Sequence, residues 1–130
     1  LKFQPDHLDG VNAVSRLEPG RIWVHQTAFT DSVLIPWRGE VQPWPALNSA
    51  ELGAAHFEQI LALQPELVIF GSGARMSFVL PQHYRCLIDH RIGLETMDTA
   101  AACRTFNVLV HEGRKVVAAL LLAPATSPPP

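Results

Sequence analysis

The stretch Gly71-Ser72-Gly73, followed by Arg75, closes an apolar run and is the first candidate for chemistry in this chain. Glycines at the carboxyl end of a buried strand let backbone N–H groups face a crevice, and an arginine there can hold an anion. A dinucleotide fingerprint would need a third glycine where Met76 stands, and a phosphate-binding P-loop would need a lysine, which is missing near the turn. Both nucleotide readings fail. What remains is a tight strand exit beside a crevice, with Arg75 either holding an anion or simply solvated. The next strand-to-helix junction supplies the opposite wall. The candidate ligand-binding set is therefore Gly71, Ser72, Gly73 and Arg75 with Asp98, Thr99, Cys103 and Arg104.

Three other constellations compete with it. Cys103 falls within two turns of a helix start capped by Asp98, where the helix dipole lowers a thiol pKa. No histidine adjoins it in sequence as a base, and it borders the apolar stripe of Ala102, Phe106, Leu109 and Val110, which favours a packed thiol. His83, Cys86 and His90 share one face of a predicted helix and are zinc-compatible types. They spread over two turns with no fourth ligand at zinc-like spacing, so no metal site is expected. Ala100, Arg104, Asn107 and His111 line one face of the later helix, and Trp37 and Trp44 lie in a proline-rich loop. Trp37, Trp44, Arg104, Asn107 and His111 form the candidate partner-binding set. No Ser/His/Asp order, paired carboxylates or cofactor motif stands out, so neither catalytic residues nor a cofactor are expected.

The bulk properties narrow the classes. A chain of 130 residues with 48% hydrophobic and 17% charged side chains suits one globular domain. With 10 basic and 12 acidic side chains it has no basic face for nucleic acid. Cys86 and Cys103 are too few for a disulfide scaffold and suit a reducing compartment, so a cytoplasmic location is the expectation. No run approaches the ~18 apolar residues of a membrane span. No charged-then-apolar signal pattern opens the chain, which starts at Leu1 and leaves a preceding targeting segment an open matter.

The positioning elements emerge from periodicity. Alternation over 12–37, with Pro19-Gly20 as a turn and Thr30-Asp31 as a second break, predicts antiparallel β structure. Residues 38–51 carry Pro43-Trp44-Pro45 and read as a loop or edge segment. A helix is predicted from Asn48 or Ser49 to about Leu63. Then strand (66–71), helix (80–91, with Leu80, Tyr84, Leu87 and Ile88 as its core stripe), strand (92–97), helix (98–113) and strand (115–123) alternate. The near-continuously apolar strands predict a central mixed β-sheet covered on both faces. The expectation is a single three-layer α/β domain over 1–123, with an N-terminal antiparallel hairpin region, and a disordered proline-rich tail over 124–130.

"FGSGARMSFVLP" and "GLETMDTAAACRTFNVLVHEGRKVVAAL" carry a resemblance. The combined strand-end glycines, E-T-M-D-T junction, A-A-C-R-T-F-N helix and E-G-R-K-V-V-A-A-L segment are similar to a family of small domains of unknown function. That family includes the mitochondrial complex I assembly factor 3 proteins and the adipogenesis-associated domain proteins. The similarity is strongest over 66–120. It implies a three-layer α/β fold in which one strand of a mixed sheet runs against the rest. It also implies bacterial members that are typically cytoplasmic, mitochondrial relatives that act by binding other proteins, and no catalytic residues to carry over. Where the family often has a trio such as Arg-Phe-Pro after the glycine turn, this chain has Met76-Ser77-Phe78, so Arg75 is the only basic residue nearby. The leading expectation is a non-enzymatic domain that binds a protein partner, with self-association left open. The alternative is a small-molecule or anion-binding protein, an enzyme included, using the crevice at Gly71–Arg75.

Overall fold

The computed structural model describes residues 1–3 and 10–122; the tail predicted over 124–130 lies outside the described residues. Among the described residues, eight strands and three α-helices run in the order β1 (Val14–Glu18), β2 (Arg21–Val24), β3 (Thr27–Phe29), β4 (Val33–Ile35), β5 (Gln42–Pro43), α1 (Ala54–Leu61), β6 (Leu67–Gly71), α2 (Arg85–Asp89), β7 (Gly93–Met97), α3 (Thr99–His111) and β8 (Val116–Leu120). β1-β2-β3 form an antiparallel sheet, and β5-β4-β8-β6-β7 form the central one. In the central sheet β6, β7 and β8 are mutually parallel, and β4 is antiparallel to both β5 and β8. One strand therefore runs against the rest, and the three-layer α/β architecture stands.

The topology places the helices. β7 lies on one side of β6 and β8 on the other, so the chain moves outward to β7 and then back across β6. Right-handed crossovers in opposite directions put their helices on opposite faces of the sheet. Accordingly Ala102, Cys103, Phe106 and Val110 of α3 pack with Ile69, Ala118 and Leu120 and with Val14, Ile22 and Val24 of the small sheet. On the other face Phe57 and Ile60 of α1 and Leu87 of α2 pack with Val68, Phe70, Val117 and Ala119.

Several expected boundaries shift. A turn at His25-Gln26 splits the first region further, and His25 takes a left-handed φ of 54° there. β4 leaves the hairpin region for the central sheet. The helix expected from Asn48 begins with a 3₁₀ turn, Ser49–Glu51, and α1 starts only after Gly53, whose N–H donates to His56 Nδ1 at 3.1 Å. The helix expected over 80–91 is also broken: Pro81–His83 is a 3₁₀ turn and α2 spans Arg85–Asp89. The break turns Leu80 and Ile88, both expected in the core, out to solvent at 60% and 52% exposure.

Candidate functional site

Because α2 and α3 depart to opposite faces, the chain parts beyond the carboxyl ends of β6 and β7, where open α/β sheets bind their ligands. Gly71 pairs with both Met97 and Leu120, so the turn after β6 and the start of α3 are brought side by side, as the sequence suggested. Here the parting is closed from within. Thr99 N–H donates to the Gly73 carbonyl at 2.9 Å, and Gly73 N–H donates back to Thr99 Oγ1 at 2.9 Å. The same hydroxyl donates to the Leu121 carbonyl at 2.8 Å, which ties in the exit of β8.

The glycines serve this closure. A Cβ on Gly71 would lie 2.9 Å from Thr99 Cα and 2.9 Å from Leu120 Cδ2, distances that real Cβ atoms do not adopt. Gly73 has open space around it but holds φ at +108°, which favours glycine. Ser72 organises the segment that leaves the turn. Its Oγ donates to the Arg75 carbonyl at 2.8 Å and accepts from Ser77 N–H at 2.9 Å.

Beside the closure a groove of about 460 Å³ remains. Leu17 of β1 with Pro19 and Gly20 of the first turn form one wall, Gly73 with Asp98–Ala100 the other, and Leu1, Leu121 and Leu122 also line it. Its charged lining side chains, Glu18 and Asp98, are both acids. Asp98 caps α3 by accepting from Ala101 N–H at 2.8 Å, and Glu18 pairs with Arg16. Arg75 is exposed and outside the lining.

The expected ligand set therefore divides. Gly73, Asp98 and Thr99 line the groove, Gly71 and Ser72 are buried, and Arg75, Cys103 and Arg104 do not line it. Cys103 is fully buried in the α3 core, and burial pushes its thiol up to about 12, the opposite of an activated nucleophile. Burial outweighs the lowering effect of the neighbouring Arg104 charge.

The expected partner set divides as well. Trp44 is 1% exposed, donates its indole N–H to the His56 carbonyl at 3.1 Å, and meets Phe57 and Phe70 edge-on, so it is core rather than contact surface. Asn107 is also buried. Its Oδ1 accepts from Val14 N–H at 2.9 Å and its Nδ2 donates to the Val14 carbonyl at 2.8 Å, which fastens α3 to β1. Trp37 is half-buried against both cores, and His111 is half-buried with Nδ1 2.6 Å from the Asn107 carbonyl. Arg104 alone of the five is exposed.

His83 sits in the 3₁₀ turn while Cys86 and His90 belong to the α2 segment, with His90 Nδ1 2.8 Å from the Cys86 carbonyl. Among the described residues no three His, Cys, Asp or Glu side chains converge on one point.

One feature is absent from the expectations drawn from sequence. Met76, Phe78 and Leu80 are 56%, 72% and 60% exposed, while Ser77 and Val79 between them turn inward. Ser77 Oγ lies 2.7 Å from Ser49 Oγ, which pins this extended segment to the 3₁₀ turn before α1. The readable signal was apolar residues at every second position between Gly73 and Pro81.

Residues 14–121 match the model of a protein family of unknown function, DUF498/DUF598. The chain belongs to this family. It is 34% identical over 98 residues to the mouse NADH dehydrogenase [ubiquinone] 1 alpha subcomplex assembly factor 3, covering 74% of this chain and 52% of that protein. The chain thus spans about half the length of the mammalian assembly factors it matches. An uncharacterised Rhodobacter capsulatus protein is 41% identical over 88 residues, covering 66% of this chain and 65% of that one. The crystal structure of a Bordetella parapertussis protein superposes with a TM-score of 0.82 at 37% identity, covering 87% of this chain and 97% of that chain. Among the described residues no helix is long and apolar enough to cross a membrane.

Proposed function

We propose that this chain is a non-catalytic domain that docks a protein partner on the outer row of Met76, Phe78 and Leu80. The observation that carries the reading is the exposure of these three large apolar side chains on one short, hydrogen-bonded segment. Contiguous exposed apolar surface on a folded domain marks an interaction site. The name of the mouse relative, an assembly factor, supports a role exercised through other proteins. The buried Cys103 and the internally closed switch point leave little for catalysis to use.

A photocrosslinking residue placed at Phe78, and in parallel at Val108, tests it in the native host. Val108 is a fair control because it is an apolar residue of α3 exposed to 57%. A discrete protein adduct from position 78 and none from position 108 is expected. No adduct at 78, or the same adducts at both, would overturn the proposal.

The groove supports a second reading, a small apolar ligand. Its volume of about 460 Å³ lies in the range of small-molecule sites, roughly 300–1,000 Å³. Native mass spectrometry of protein purified gently from its host decides this. A stoichiometric adduct that is lost in an Ala100→Trp variant, which fills the groove, would favour the ligand.

A further inference from the structure

The sheet edges of this molecule are closed to different degrees. β1 is covered by the first residues, where Phe3 N–H donates to the Ser15 carbonyl at 3.0 Å and Leu17 N–H to the Leu1 carbonyl at 2.7 Å. β5 ends in Pro43, which has no N–H, and the Pro43 carbonyl accepts from Gln59 Nε2 at 2.9 Å. β3 is only three residues long. Among the described residues β7, at the other end of the central sheet, has none of these protections: it is five residues long and contains no proline.

Its hydrogen-bonding phase is set by one contact. Ser72 N–H donates to the Met97 carbonyl at 2.9 Å, and Gly71 is the register partner of Met97. In a parallel ladder this makes Met97 and Glu95 the residues bonded to β6 and turns the N–H and C=O groups of Leu94 and Thr96 outward. Among the described residues no further strand pairs with β7. Glu95, exposed, sits between the two outward-facing residues.

We propose that the β7 edge accepts one antiparallel strand from another protein, with a lysine or arginine opposite Glu95. The alternative occupant is a second copy of this chain, and the register speaks against it. An added antiparallel strand that engages both Leu94 and Thr96 places one residue directly opposite Glu95, in a non-hydrogen-bonded pair with Cα atoms about 4.5 Å apart. For two copies that register is symmetric: Leu94 faces Thr96, and Glu95 faces Glu95. Like charges directly opposite are destabilising, whereas a cation in that place is stabilising. A single charge among unpaired backbone groups is a known way of blocking self-pairing at an edge. Here it also selects the partner. The edge residues are different from the Met76–Leu80 row, so the peptide titration and the crosslinking at Phe78 test the two proposals separately.

The full chain is titrated with two capped peptides, Thr-Val-Lys-Val-Thr and Thr-Val-Glu-Val-Thr, and backbone amide shifts are tracked by NMR. The lysine peptide is expected to move the amides of Leu94 and Thr96 and to bind about five-fold more tightly than the glutamate peptide. In a Glu95→Lys variant the preference should invert, while an unchanged melting temperature shows the fold intact. The absence of shifts at those two amides, equal affinity for both peptides, or a concentration-dependent dimer of the unaltered chain perturbing the same amides would overturn the proposal.

Discussion

The two faces of the central sheet are built on different terms. On the α3 face, buried side-chain hydrogen bonds join segments far apart in the chain: Asn107 to Val14, Thr99 to Leu121, and Ser32, whose hydroxyl accepts from Leu122 N–H. One helix of 13 residues, unbroken and capped by Asp98, covers that face together with the small sheet. On the opposite face α1 has eight residues and α2 five, each preceded by a 3₁₀ turn, and the apolar row of Met76, Phe78 and Leu80 is left outside. Buried polar ties specify one arrangement and are costly to break. Apolar contact between short elements is more tolerant of repacking. The first face is the frame of the domain, and the second carries the exposed row on which the proposed docking rests.

The sharpest way to break this contrast is at the closure between the strands and α3. Gly71→Ala forces a methyl group against the backbone of Thr99, and a loss of about 3 kcal/mol in unfolding free energy is expected. Chemical denaturation measures it, and a loss below about 1 kcal/mol would mean that the α3 start yields easily. Asn107→Leu comes next. It leaves the buried N–H and C=O of Val14 without their partner, and roughly 2–3 kcal/mol should be lost. Any accompanying change in partner binding with stability unchanged would move Asn107 back to the surface role its sequence position suggested.

A third test uses the buried thiol. The folded-state pKa of Cys103, about 12, lies above its ordinary value of 9.0 because of burial. A raised thiol pKa means that the unfolded chain releases its proton first. The associated stability is therefore full below pH 9 and is lost as pH rises from 9 towards 12. Cys103→Ala should remove that part of the alkaline decline measured by denaturation. Native alkylation sharpens the point: half-buried Cys86 should react while Cys103 stays intact until the protein unfolds.

How much of this was legible depends on the same contrast. β6, β8 and α3 could be read because continuous apolar runs and an Asp cap are strong local signals, and each local preference agrees with the final fold. The burial of Asn107 could not be read, since it depends on β1, 93 residues away in the chain. Trp44 looked like a contact residue because prolines flank it, yet the loop folds back and seats the indole between α1 and β6. On the α1/α2 face periodicity misled. Leu80 and Ile88 fit a helical stripe over 80–91 only if the helix is continuous, and the 3₁₀ turn at Pro81–His83 breaks the phase. The candidate site fared similarly: the juxtaposition of the two turns was visible in the strand order, but not the hydroxyl that closes the gap between them.

The smallest expected effect is the most informative about function. Replacing Phe78 by Ser removes an aromatic ring that is 72% exposed, so its loss should change unfolding free energy by no more than about 0.5 kcal/mol. The inward neighbours Ser77 and Val79 keep their contacts, and the Ser72–Ser77 bond holds the segment in place. A partner that uses the row as an anchor should nevertheless lose it, because truncating a buried aromatic at an interface often costs about 2 kcal/mol or more, roughly thirty-fold in affinity. The two readouts must therefore separate. If Phe78→Ser instead lowers stability by about 2 kcal/mol, the ring is already packed within the domain, and the two faces of the sheet are less different than their hydrogen bonds suggest.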